Sequence, residues 1–129
     1  MSGIRGIGGI FFKSPDPKKL NAWYQRHLGM PTAPDGSNLL RWRRHDDPEK
    51  AEVTVWAPFK HDTTYMDPSK ASFMVNYIVD DLDAMLEKLR AEDVEVDEKV
   101  EEYEYGKFGW VFDPDGNKIE LWQPMGPGF

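Results

Sequence analysis

The chain contains no cysteine. This excludes disulfides, thiolate nucleophiles and sulfur-ligated metal centres. It also has no long hydrophobic run. The N-terminal stretch MSGIRGIGGIFF is short and broken by glycine, with one charge. It is too short to span a bilayer and lacks the layout of a secretion signal. Clustered cations are scarce as well. Lys and Arg total 16 against 23 Asp and Glu, for a net charge of −7, and the densest basic group is Arg41, Arg43 and Arg44. Nucleic acid and anionic membranes both demand basic clusters, so neither is expected as a partner. Ser, His and Asp follow no nucleophilic order. The GIRGIGG segment precedes its strand instead of following it, so it is no dinucleotide fingerprint. These absences point to a cytoplasmic protein of one domain over 1–129, long enough to bury a core.

What the sequence does contain is an internal echo. DPEKAEVTVWAP (47–58) and DPDGNKIELWQP (113–124) align at a shift of 66, placing Asp47, Pro48, Trp56 and Pro58 on Asp113, Pro114, Trp122 and Pro124. A repeat of this kind implies two like modules, expected at about 4–59 and 71–124 with a connector over 60–70. The echo breaks at one position, where Glu120 stands opposite Thr54.

Local signals give the order strand, helix, three strands, twice. Ile7–Lys13 reads as a strand. Asp16 can cap a helix and Pro17 fits its first turn. Leu20, Trp23, Tyr24, His27 and Leu28 recur at helical spacing, and Gly29 ends the helix. Leu39–Arg43 and Glu52–Trp56 read as strands. In the second half Ser72–Val79 is a strand, and Asp80-Asp81 caps a helix with the stripe Leu82, Met85, Leu86 and Leu89. Val94–Tyr105, Lys107–Phe112 and Lys118–Trp122 are extended, the last two joined by a tight turn at Asp113–Gly116. The expected fold is α+β: two tandem βαβββ modules forming a curved, cup-shaped mixed sheet with helices outside.

Three stretches together resemble a known group. They are Asp16-Pro17 followed by Trp23-Tyr24 and Leu28-Gly29; VDDLDAMLEKLR; and FDPDGNKIELWQP. The pattern resembles the vicinal oxygen chelate superfamily, which includes glyoxalase I, bleomycin- and fosfomycin-resistance proteins and extradiol dioxygenases. The likeness runs over about residues 4–124. It implies that metal-dependent members take one ligand from the first and one from the last strand of each module. Those positions map to Gly9, Thr54, Met74 and Glu120, of which Glu120 alone is a competent ligand. A catalytic divalent ion needs about three protein ligands, so no cofactor is expected and a divalent metal is disfavoured. The resemblance also implies a homodimer.

Strand alternation then assigns faces. Glu120, Lys118 and Trp122 share the cup face. Thr54 takes Glu52 and Trp56 with it, Gly9 takes Phe11 and Lys13, and Met74 takes Asn76 and Ile78. The ligand-contact candidates are Phe11, Thr54, Trp56, Met74, Asn76, Tyr105, Glu120 and Trp122. The acidic run 97–105 reads as a solvated face whose Glu102, Glu104, Tyr103 and Tyr105 border the cup mouth. His27 and His45 read as structural or solvated, and His61 in the connector is a weak site candidate. The C-terminal MGPGF segment is a candidate cover for the mouth or a partner. These residues favour an aromatic-lined, non-metal cup that binds a small molecule for sequestration, sensing or resistance. The alternatives are a lyase, isomerase or dioxygenase-type enzyme, using Glu120 as base or an atypical metal site, and an interaction module with a collapsed cup.

Overall fold

Both helices start where short side chains can take the free amides of a first turn. The Asp16 carboxylate accepts from the Lys19 N–H at 3.1 Å, Pro17 follows, and Gly29 closes the helix at φ 66°. The Asp81 carboxylate accepts from the Ala84 N–H at 3.1 Å. In the computed structural model, which describes residues 3–126, the elements run β1 (Gly6–Ser14), α1 (Pro17–Leu28), β2 (Asn38–Arg43), β3 (Ala51–Lys60), β4 (Phe73–Ile78), α2 (Leu82–Ala91), β5 (Val96–Tyr103), β6 (Gly106–Phe112) and β7 (Lys118–Pro124).

The seven strands form one curved, open mixed sheet in the order β2-β3-β1-β4-β7-β6-β5. Two parallel pairs, β1 with β3 and β4 with β7, flank an antiparallel junction of β1 with β4. At the place of a third strand in the first half, an isolated bridge joins Thr32 to Asn38. The fold is thus α+β, with both helices on the convex face. The Asp113 turn is tight because its carboxylate accepts from the backbone of Asp115 and Asn117 and from the Asn117 amide, with Gly116 at φ 81°.

The two helices are seated unequally. Leu82 and Leu86 of α2 are buried with Val79, Val111 and Leu121. No residue of α1 is buried: Trp23 is 50% exposed and Leu28 65%. Tyr24 alone of its aromatics reaches the sheet, 4.3 Å from the Trp56 ring. Among the described residues no helix is long and apolar enough to cross a membrane.

Candidate functional site

The concave face of the sheet holds a cavity of about 430 Å³. Its floor is set by β1, β4 and β7 at the centre of the sheet. Gly9 pairs with Asn76 across the β1–β4 junction, and Asn76 pairs with Glu120 across β4–β7. Glu120 is 3% exposed and Asn76 2%. Burying a carboxylate demands that its lone pairs be filled, and three donors fill them. Asn76 Nδ2 donates to Oε1 at 2.7 Å, Trp110 Nε1 donates to Oε2 at 3.0 Å, and the Tyr65 hydroxyl also donates to Oε2. Tyr65 is 38% exposed, yet its hydroxyl ends on this buried group. Desolvation, reinforced by the neighbouring Glu120 charge, pushes that hydroxyl well above its ordinary 10.0. The Asn76 amide orientation follows from its bond to Glu120. Its Oδ1 therefore lies against Gly8, buried and without a hydrogen-bond partner.

The walls are aromatic. Phe108 stacks on Trp122 with centroids 5.8 Å apart, and Tyr103 stacks on Tyr105 at 5.3 Å. Both tyrosines meet Phe108 edge-on. Trp122 Nε1 donates to the Tyr105 carbonyl at 3.0 Å, tying the wall to the β5–β6 turn. Phe11, Val55 and Glu101 complete the lining. The Tyr103 hydroxyl is pushed up, chiefly by its hydrogen bond to Glu101.

The structure brings together Phe11, Asn76, Tyr105, Glu120 and Trp122 of the residues singled out in the sequence. Three others lie elsewhere. Thr54 sits between strands, accepting from Trp42 Nε1 at 2.9 Å and donating to the Ile7 carbonyl. Trp56 packs on the opposite face against Phe12 and Tyr24. Glu52 pairs with Arg5 at 2.6 Å. The cause is register: Gly9 pairs with Val55, so Val53 and Val55 turn to the cup and their even-numbered neighbours turn away. Met74 faces the concave side but lies beneath the cavity, 1% exposed, clustered with Met66 and Trp110. The first-half strand therefore offers Gly9 and Val55 where the second offers Asn76 and Glu120.

His61 is exposed in the turn after β3, beside Pro15 and Asp16, away from the cup. His27 lies tilted against Trp23 with ring centroids 5.1 Å apart, and His45 is exposed. In the acidic run it is Glu101, not Glu102 or Glu104, that lines the cavity, in phase with Tyr103 and Tyr105. Of the MGPGF segment, residues 127–129 lie outside the described residues, whereas Met125 N–H donates to the Tyr105 carbonyl at 3.1 Å. Tyr65 and Trp110 are site residues that sequence reasoning did not find. The available signal was the apolar pair Tyr65-Met66 inside an otherwise polar connector.

The family resemblance implies a metal at the centre of the cup, and the donor chemistry here does not fit one. Glu120 offers the competent carboxylate, but an amide, an indole and a phenol all direct hydrogens at it. A cation approaching the same lone pairs would meet those hydrogens first. Gly9 and Val55 carry no donor atoms, and Thr54 is turned away. No group of three or more His, Cys, Asp or Glu converges among the described residues.

Comparison with solved structures gives likenesses of fold. A methylmalonyl-CoA epimerase from Mycobacterium tuberculosis is 22% identical, with a TM-score of 0.64 over 96% of this chain and 93% of that one. A variant of the Streptomyces coelicolor methylmalonyl-CoA epimerase, in complex with 2-nitronate-propionyl-CoA, is 13% identical, with a TM-score of 0.67 over 95% and 99%. A glyoxalase/bleomycin resistance protein/dioxygenase superfamily member from Vibrio splendidus 12B01 is 16% identical, with a TM-score of 0.58 over 94% and 99%. A search of curated proteins gave no match. The model of one family matches residues 6–121, nearly the whole described chain. The protein belongs to the Glyoxalase/Bleomycin resistance protein/Dioxygenase superfamily.

Proposed function

We propose that the chain is a small-molecule-binding protein whose cup takes an organic ligand directly, without a metal. The observation that carries this reading is the composition of the 430 Å³ cavity: an aromatic wall over a polar floor of Asn76 and Glu120. Ligand sites are mostly apolar clefts of this size with a few convergent polar groups. The cavity also argues against an interaction module with a collapsed cup.

Catalysis is the second reading, favoured by the Tyr65 hydroxyl directed onto Glu120 inside the cavity. A phenol and a carboxylate in contact can relay a proton. Against it, three donors already occupy the lone pairs a base would use. Solved structures with this fold include epimerases, one of them in complex with methylmalonyl-CoA, so acid–base isomerisation is the reaction class to test.

The experiment is a metabolite screen read by intrinsic fluorescence and thermal shift. Trp122 lines the cavity and Trp110 touches its floor, so an occupant alters their emission. The expected result is saturable quenching that Trp122→Phe diminishes. A screen in which no compound shifts either signal sinks the proposal. Hydrogen exchange into a hit from deuterated water, followed by NMR, would move the enzyme reading to first place. A homodimer also belongs to this proposal, and sedimentation velocity tests it.

A further inference from the structure

We infer that the ligand of the cup is an organic cation, a protonated or quaternary amine borne on a flat apolar body. This deepens the binding proposal and rests on it.

Two kinds of side chain meet in the cavity. The charged residues of its lining are Glu101 and Glu120, and no Lys, Arg or His lines it among the described residues. The remaining wall is dominated by aromatic rings. An anion entering this space would face two carboxylates with no cation to offset them. A neutral apolar body would fill the walls but leave Glu101 without a partner in the cavity. A cation suits both the carboxylates and the rings. Ring faces attract positive charge through their quadrupoles, most strongly when water is excluded. The stacked Tyr103–Tyr105 pair and the Phe108–Trp122 pair set such rings around one space. Glu101 stands on the same wall and supplies the counter-charge.

The nearest cations of the chain do not cancel this field. Lys118 belongs to the adjoining cleft: its Nζ donates to the Tyr65 carbonyl at 2.9 Å. There it lies 5.7 Å from the Tyr65 ring centroid and 5.8 Å from that of Trp110. Tyr65 and Trp110, two of the donors to Glu120, thus already hold a cation near their rings on the side of that cleft. Lys99 reaches Glu101 at 3.5 Å, but its side chain is 66% exposed. An exposed pair of that kind is weak and easily exchanged for another cation.

The test uses three probes of nearly one shape: benzyltrimethylammonium, its neutral isostere neopentylbenzene, and the anion phenylmethanesulfonate. Binding to the full chain is measured by calorimetry and tryptophan quenching at two salt concentrations. The cation is expected to bind about tenfold tighter than the neutral probe, the order that cation–π and charge contacts give together. Added salt should weaken the cation and leave the neutral probe nearly unmoved. Glu101→Gln should lower the cation's affinity several-fold more than the neutral probe's. Equal or tighter binding of the neutral probe or the anion overturns the cation inference while leaving small-molecule binding intact. Failure of all three probes to bind overturns both.

Discussion

Replacing Glu120 by Ala and by Gln separates the worth of its hydrogen bonds from the cost of its charge. Both variants remove a buried carboxylate, so the desolvation term cancels in the comparison. They differ in what happens to the donors. In Glu120→Ala, Asn76 Nδ2 and Trp110 Nε1 lose their acceptor within a buried floor. Each stranded donor costs about 1–3 kcal/mol. Tyr65, 38% exposed, can turn to water and adds little. In Glu120→Gln, the amide oxygen takes the slot shared by Tyr65 and Trp110, and its NH2 faces Asn76. Asn76 then flips, so that its Oδ1 accepts from the new amide. The flip gives that oxygen a partner and turns Nδ2 toward Gly8 in its place, so Asn76 keeps one unsatisfied group as before, whereas in Glu120→Ala its oxygen and its Nδ2 are both unsatisfied. Glu120→Ala should therefore unfold more easily than Glu120→Gln by about 4 kcal/mol, the middle of the range of about 2–6 kcal/mol for two stranded groups. Urea unfolding followed by circular dichroism measures this from midpoints at equal slopes. A difference below about 1 kcal/mol would refute the claim that Glu120 is held as the shared acceptor of this floor.

Three further outcomes follow from the same geometry. A Cβ on residue 8 would lie 2.3 Å from Asn76 Oδ1, 2.8 Å from the Trp122 ring and 2.9 Å from Ile78; Gly8→Ala should cost about 1–3 kcal/mol and weaken cup ligands, and an unchanged melting temperature would exclude this packing. The raised Tyr65 pKa favours the protonated phenol in the fold, so its contribution is fully present below the ordinary 10.0 and is lost as pH rises above it. Spectrophotometric titration should show Tyr65 ionising well above the ordinary 10.0, and Tyr65→Phe should flatten the alkaline fall in stability; a Tyr65 that ionises at or below 10.0 contradicts its contact with Glu120. Dialysis against Mn, Fe, Co, Ni and Zn followed by plasma mass spectrometry should leave no near-stoichiometric metal, and retention that Glu120→Gln abolishes would overturn the donor argument.

The parts of this fold that the sequence makes legible are those decided within a few residues. Asp16 and Asp81 cap helices because each carboxylate reaches an amide three positions on. Asp113 closes its turn through Asp115 and Asn117. Alternation along β4 and β7 was readable because Glu120 and Asn76 sit among strongly apolar neighbours. In β3 the same rule slipped by one residue. Its phase was carried over from β7 through the repeat, and Glu52-Val53-Thr54-Val55-Trp56 offers an apolar group on either face. What decides between the faces is the pairing of Gly9 with Val55, a contact between segments 46 residues apart that no local pattern encodes. Tyr65 was hidden for the same reason: 55 residues separate it from the carboxylate it meets.

That register also explains why the floor is polar on one side only. With Gly9 and Val55 inward, the β1–β3 half brings no hydrogen-bonding side chain to the centre of the cup. With Asn76 and Glu120 inward, the β4–β7 half brings an amide and an acid. A buried carboxylate cannot stand without donors, and the opposite half supplies none, so they come from Asn76 and Trp110 in the second half and from Tyr65 in the connector. The space that first-half side chains would have filled stays open against Gly8, Phe11 and Val55. Loss of the first-half ligand positions and presence of an aromatic cavity are therefore linked consequences of one choice of small and apolar residues on β1 and β3. Restoring a donor there, as Val55→His would, should shrink the cavity and weaken its organic ligand at once. An ITC titration showing undiminished affinity in that variant would break the link.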